Sequence, residues 1–414
     1  MAILKPFKGI RPVKEKANFI ASRPYDVLDT EEARAIANGN FYSFLRVIKP
    51  ELEFADDFDH YAPEVYERGL QNFNKLFEEK IFFQDKEEYL YVYAQTMNGR
   101  IQYGLVGCAG VEDYLNNIIR KHELTRPDKE EDRMKHIRHS SMNYEPVFFS
   151  YRAMKEIDEI VGKVIQEEPE YDFVADDGIG HIFWVIKDLK VVKLLEDLFA
   201  KVEFTYVADG HHRTAAAALV GNEKKLQNPK HTGKEEYNYF LAVHFPDNQL
   251  KIFDYNRVVQ DLNGLSSDEF LKKLEISFVI EKKGEEMFKP DKLHTFSMYL
   301  DGYWYALHAK QGTYNDNDPI GCLDVTILSN EILAPILAIV DLRKSKKIDF
   351  VGGIRGLGEL KRRVDSGKMK VAFALYPVSM EQLINISDTG NIMPPKTTWF
   401  EPKLRSGLII HKLE

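Results

Sequence analysis

The chain of 414 residues is 44% hydrophobic, enough to bury a large core, and its length corresponds to two or three domains at roughly 100–200 residues each. A formal net charge of -9 argues against a dedicated nucleic-acid binder, whose footprint is a strongly basic domain, and is compatible with a local basic pocket for a small phosphorylated ligand. Two cysteines, Cys108 and Cys322, belong to no CxxC pair, which fits a reducing compartment without a structural zinc site.

The opening MAILKPFKGIRPV lacks the apolar core of a signal peptide. In FIASRPYDVLDTEEARAIA, Pro24 and Asp26 mark a turn, and Asp29 or Thr30 can cap a helix beginning at Glu31-Glu32. YAPEVYERGLQNFNKLFEEKIF has apolar spacing near three and four and predicts a helix whose apolar face meets the core or a partner. YLYVYAQTM and IQYGLVGCAG read as strands joined by the Asn98-Gly99 turn.

The same grammar recurs downstream as strand IFWVI, a helix near VVKLLEDLFAKV, strand EFTYVA, the turn DGHHR, an alanine helix and strand YFLAVHF. Such alternation predicts mixed α/β or α+β layers. The polar stretch 221–238 reads as a surface excursion after the alanine helix. KLHTFSMYLDGYWYALHAK predicts a hairpin turning at Asp301-Gly302, and VGGIRG at 351–356 reads as a strand turn because it has neither P-loop nor dinucleotide spacing. The run ILAPILAIV at 332–340 is broken by Pro335 and falls well short of the roughly 20 residues that cross a bilayer. A soluble cytoplasmic protein with no membrane or nucleic-acid partner is expected. The aromatic tail MPPKTTWFEPKLRSGLIIHKL is expected to dock on the body.

DGHHR is the stretch that points to chemistry. A helix N-terminus carries roughly half a positive charge and stabilises phosphate oxygens. Gly210 permits close backbone approach, Arg213 offers a fork of donors, and His211 and His212 can donate hydrogen bonds or move protons near neutral pH. Asp209 could hold a divalent metal or position a hydroxyl. The alternative is structural: Asp209 caps the helix and the histidines fill an interface.

VADGHHR resembles the DG-x-H-R box of the ParB/sulfiredoxin-like fold, where that turn binds nucleotide phosphates. The chain as a whole resembles the domain-of-unknown-function family 1015, on PYDVLDTEEAR, NFYSFLRVIKPE, KHELTRPDKEEDR, VADGHHR, LDVTILSNEILAPIL and MPPKTTWFEPKLRSGL. The resemblance implies a ParB/sulfiredoxin-like core with additional α/β segments at both ends, and we expect divisions at 1–110, 111–245 and 246–414. It also implies phosphate binding by Gly210, His212, Arg213 and Thr214, with His211 and Asp209 taking part in catalysis.

KHELTRPDKEEDR is similar to the HE-containing segment of ParB-like free serine kinases, where a glutamate is the base. That likeness makes Glu123 the first candidate base, with Arg126 and Arg133 nearby in sequence as substrate ligands, although a charge run is also what a solvated face looks like. Asp26 is the second candidate carboxylate, or a turn residue bonded to its own backbone. Lys396, Lys403 and Arg405 lie on a proline-punctuated strap that could close over a phosphate or a substrate carboxylate, or could be ordinary surface cations.

No HExxH helix and no GxSxG elbow occur, and His136 with His139 makes only two metal ligands. A cysteine beside the box, needed for sulfiredoxin-type chemistry, is absent. The expectation is a small-molecule phosphotransferase resembling a free L-serine kinase, with Mg²⁺ held by Asp209. It would form O-phosphoserine from ATP, ADP or pyrophosphate, or run in reverse. The alternatives are a ParB-like nucleotide-binding regulator without turnover, whose DNA-binding version the acidic charge and lack of an evident helix-turn-helix disfavour, and an interaction protein with a relic site.

Overall fold

The computed structural model describes residues 1–414, which fall into two compact units. The first comprises Met1–Lys121, Thr125–Leu250 and Pro402–Glu414, and the second His122–Leu124 and Lys251–Glu401. The chain adopts the mixed α/β class expected from its sequence. No helix is long and apolar enough to cross a membrane.

Helix α1 of the first unit (Thr30–Ala37) is capped by Asp29, whose side chain accepts from the Glu32 amide while Glu32 reaches back to the Asp29 amide. This reciprocal box satisfies two otherwise orphaned donors. Helix α2 (Pro63–Glu78) starts on Pro63 and buries Val65, Tyr66, Gly69, Phe73 and Leu76, the three-and-four spacing of a core-facing stripe.

An eight-stranded mixed sheet follows, made of β1 (Leu90–Met97), β2 (Arg100–Gly110), β3 (Ile119–Arg120), β4 (Val147–Tyr151), β5 (Tyr171–Val174), β6 (Gly180–Ile186), β7 (Thr205–Asp209) and β8 (Tyr239–Pro246). Its order is β3-β7-β4-β8-β2-β1-β6-β5, so strands from both sides of residue 110 share one sheet. The β1–β2 hairpin turns on Asn98 (φ 52°) and Gly99 (φ 76°), the paired positive φ values of a type I′ turn whose twist suits the flanking strands.

Four further helices pack against this sheet: α3 (Pro127–Ser140), α4 (Lys155–Val164), α5 (Leu189–Phe199) and α6 (His211–Gln227). Val92 and Leu105 join Ile157, Val161, Leu195 and Phe199 of α4 and α5 in one buried cluster. Val147, Phe149, Val207 and Ala242 join Met134, Ile137 and Ala216–Ala218 of α3 and α6 in another.

The polar stretch expected to leave the helix at 221 as a surface excursion instead continues α6 to Gln227. Gly221 allows this, because a Cβ there would sit 2.4 Å from the Tyr237 carbonyl oxygen. The small residue lets the helix lie against the backbone that follows it.

In the second unit, six antiparallel strands run in the order β10-β12-β11-β14-β9-β13: β9 (Tyr255–Val259), β10 (Phe278–Gly284), β11 (Thr295–Leu300), β12 (Tyr303–Ala309), β13 (Ile348–Gly352) and β14 (Val371–Ala374). The β11–β12 hairpin turns on Asp301 and Gly302, both with positive φ. VGGIRG carries the chain from β13 through a tight turn into α7 (Gly356–Asp365), so it links a strand to a helix. Val258, Tyr299, Trp304, Val351 and Leu360 form this unit's core.

Candidate functional site

Strand β7 is buried along Thr205–Ala208 and becomes partly exposed at Asp209. Its register with β4 slips between Val207 and Asp209, which pair with Phe149 and Phe148. Such a bulge re-aims the side chain that follows it. Gly210 then takes φ 89° and ψ 37°, left-handed backbone that disfavours any Cβ, and a Cβ there would also come within 3.1 Å of the Arg213 guanidinium. Helix α6 begins at once, so Asp209 stands at the positive end of its dipole.

Two cations grip Asp209. Lys403 Nζ lies 2.6 Å from Oδ1 and Arg213 Nη2 donates to Oδ2 at 2.9 Å. Burial would raise this carboxyl, but Lys403 and Arg213 outweigh it and hold its pKa down at about 2. Arg213 is itself buried, with Nη1 donating to the Pro146 carbonyl at 2.7 Å. Burial works against its charge, and Asp26, Asp209 and Glu145 restore it, leaving the guanidinium more firmly protonated than usual.

Glu145 is the anion that sequence reasoning missed. It accepts from the Tyr25 amide at 3.3 Å, from Ser406 Oγ at 3.4 Å and from Arg133 Nη1 at 3.5 Å. Burial pushes its carboxyl up despite the pull of Arg213 and Arg133. The signal available was Pro146, which biases the preceding residue toward extended backbone and so sets Glu145 at the mouth of β4. A cavity of about 40 Å³ borders Arg133, Tyr144, Glu145 and Arg213.

The remaining predicted residues divide between the units. Arg133 is buried, forks onto Asp132 at 2.7 and 3.1 Å, and lies 3.7 Å from the Tyr25 ring centroid. The exposed Arg126 side chain forks onto Asp128, while its amide donates to His212 Nε2 at 3.0 Å, which places the neutral ring's proton on Nδ1. Thr214 is fully buried and its hydroxyl donates to the Gly210 carbonyl at 2.9 Å. His211 is buried in the first turn of α6, and Asp26 lies exposed in the short turn Tyr25–Val27.

Arg405 belongs to the first unit with Lys403, and its Nη2 donates to Asp177 at 2.6 Å. Glu123 and Lys396 belong to the second unit, where the Lys396 carbonyl accepts from Arg257 Nη2 at 2.9 Å. The structure thus brings Asp209, Gly210, Arg213 and Lys403 together, with Asp26 in the field of Arg213.

The profile of the family described as protein of unknown function (DUF1015) matches residues 4–326, well over half of the chain. The chain belongs to the DUF1015 family. No curated protein matches this DUF1015 sequence. Among solved structures it is similar to a conserved hypothetical protein from Pyrococcus furiosus, at 12% identity and TM-score 0.35 over 73% of this chain and 93% of that one. It is also similar to a free serine kinase in complex with AMP (12% identity, TM-score 0.35, 73% and 91% of the two chains). A third similar structure is SbnI with a C-terminal truncation from Staphylococcus aureus (11%, TM-score 0.39, 73% and 85%).

Proposed function

We propose that this DUF1015 protein is a phosphotransferase that moves a phosphoryl group between a small donor and a hydroxyl acceptor at the turn between β7 and α6. The observation that carries the proposal is a carboxylate held ionised by Lys403 and Arg213 at the end of a strand, next to a left-handed glycine and the positive end of a helix. Phosphoryl transfer asks mainly for positioning and charge neutralisation, which such a turn supplies. Free L-serine is the acceptor that the sequence resemblance implies, and pyrophosphate, ATP or ADP the donor.

Within this reading the roles follow from charge. A carboxyl with a pKa of about 2 is a weak base at neutral pH, so Asp209 orients the hydroxyl and does not take its proton. Proton acceptance falls to another carboxylate: Asp26 in the first unit, whose charge acts on Arg213, or Glu123, on the family resemblance. Arg213 is a positioning residue that fixes Asp209 from beneath, and Lys403 is the cation able to exchange Asp209 for a donor phosphate oxygen.

Magnesium fits Asp209 poorly in this arrangement, because a divalent ion at that carboxylate would face two cations already bound to it. An ion carried on the donor's own phosphates would meet no such conflict.

The test is a phosphorus NMR time course with Mg²⁺ and L-serine, run separately with ATP, ADP and pyrophosphate, together with a reverse reaction from phosphoserine. Appearance of phosphoserine, or its loss in the reverse tube, with both abolished by Asp209→Asn, is the expected result. Silence in every tube while a nucleotide still binds would replace this reading with a nucleotide-binding regulator.

A further inference from the structure

A second candidate site lies within the first unit and contains neither Asp209 nor Arg213. It is a cleft of about 420 Å³ lined by residues 18, 19 and 21–23, by Leu28, Ile36 and Leu45, by Val174–Asp176 and by Arg405. That volume lies within the roughly 300–1,000 Å³ typical of small-ligand pockets.

Arg405 is 4% exposed, and a chain of buried groups sets its direction. Its Nε donates to His181 Nε2 at 3.2 Å, and its amide approaches the Tyr93 hydroxyl at 3.4 Å. His181 Nδ1 in turn lies 2.7 Å from that hydroxyl. Because Nε2 accepts, the ring's own proton sits on Nδ1 and is directed at Tyr93. Burial and the neighbouring guanidinium hold His181 down at about 3, so it stays a neutral acceptor at physiological pH.

Arg405 Nη2 meets Asp177 at 2.6 Å, and Arg23 Nε approaches the same carboxylate oxygen at 3.5 Å. Two guanidinium groups therefore share the Asp177 carboxylate, and Asp176, largely exposed on the cleft wall, adds a longer ion pair to Arg405 at 3.9 Å. Nη1 of Arg405 takes no part in any of these bonds.

Beside these paired charges, with Arg405 Nη1 left over as a donor, stand apolar side chains that face solvent, Phe19 at 54% and Ile36 at 39% exposure. Exposed apolar groups rimmed by polar ones mark binding surfaces more often than chance does. The cleft wall is also built, because Ser22 and Ser406 exchange backbone hydrogen bonds at 3.1 and 2.9 Å and tie the segment around Ser22 to the irregular segment that carries Arg405.

We propose that this cleft binds an organic anion, its carboxylate or phosphate group paired with Arg405 and Arg23 and its flat apolar body lying against Phe19 and Ile36. The proposal rests on the cleft alone and is independent of the phosphate reading of the β7–α6 turn.

Calorimetric titration of the full chain tests it with phenylacetate, phenyl phosphate, acetate, inorganic phosphate and, as the charge-reversed control, benzylammonium. Saturable binding of one aromatic anion, about tenfold tighter than its small counterpart, is expected, with the stronger aromatic ligand identifying the head group. Arg23→Gln should weaken it about tenfold and Phe19→Ala measurably, both on accessible side chains that leave the fold intact, while Asp209→Asn leaves it unchanged.

Arg405→Lys should match Arg23→Gln wherever it folds, because an ammonium cannot reproduce the fork. The proposal is overturned if neither aromatic anion saturates, if benzylammonium binds as well, if Arg23→Gln and Phe19→Ala bind like the parent, or if Asp209→Asn abolishes binding.

Discussion

Lys403 Nζ meets Asp209 Oδ1 at 2.6 Å across a separation of 194 residues. Replacing Lys403 by Met keeps the aliphatic stem and removes only the charge. Asp209 then depends on Arg213 alone, so its pKa should rise toward the ordinary range. We expect a loss of about 2 kcal/mol in urea unfolding at pH 7, below the roughly 3–5 kcal/mol of a fully broken buried pair because Arg213 remains. No change in the urea midpoint would show the contact to be energetically empty.

The same carboxyl sets an acid limit on stability. Its folded pKa is depressed to about 2, against roughly 3.9 in the unfolded chain. The contribution is therefore complete above the unfolded value and lost as pH falls through the folded one, amounting to about 2.5 kcal/mol. Unfolding free energies of the parent and Asp209→Asn, measured from pH 6 down to pH 2, should converge across pH 4 to 2. Parallel curves would mean that Asp209 is not ionically held.

Gly210→Ala places a Cβ at φ 89° and within 3.1 Å of the Arg213 guanidinium. Left-handed backbone alone costs about 1–2 kcal/mol for an L-residue. A displaced Arg213 would loosen Asp209 as well, and turnover should fall about 100-fold, the scale of an ångström-sized misplacement. Circular dichroism should remain native, and an active variant would remove the turn from the chemistry.

Gly99→Ala is the matched control. Its φ of 76° carries a similar backbone penalty, but nothing lies within 4 Å of the added methyl. We expect about 1 kcal/mol lost in thermal or urea unfolding. Phosphotransfer and anion binding should stay at parental levels, and a drop in either would tie the hairpin to function.

Local features were legible in the sequence because local chemistry fixes them. Asp29 with Glu32 capped a helix, Asn98-Gly99 and Asp301-Gly302 turned hairpins, and Asp209-Gly210 turned a strand into a helix, each set by residues within a few positions of one another. Long-range charge pairing was not legible. Nothing near Lys403 announces Asp209, and nothing in NYEPV announces that Glu145 lies between Arg133 and Arg213, because those meetings depend on the packed sheet. The extension of α6 to Gln227 escaped for a related reason, since the largely polar residues 222–227 look solvated until Gly221 is seen against the Tyr237 carbonyl.

Residues 402–414 belong to the first unit although residues 251–401 build the second. During synthesis the sheet, the β7–α6 turn and Asp209 thus leave the ribosome long before Lys403 and Arg405. A nascent chain can fold most of the first unit while its carboxylate still lacks one of its two cations. Ionic closure of the turn is consequently a late event in the life of each molecule, and it waits on the completed translation of the other unit.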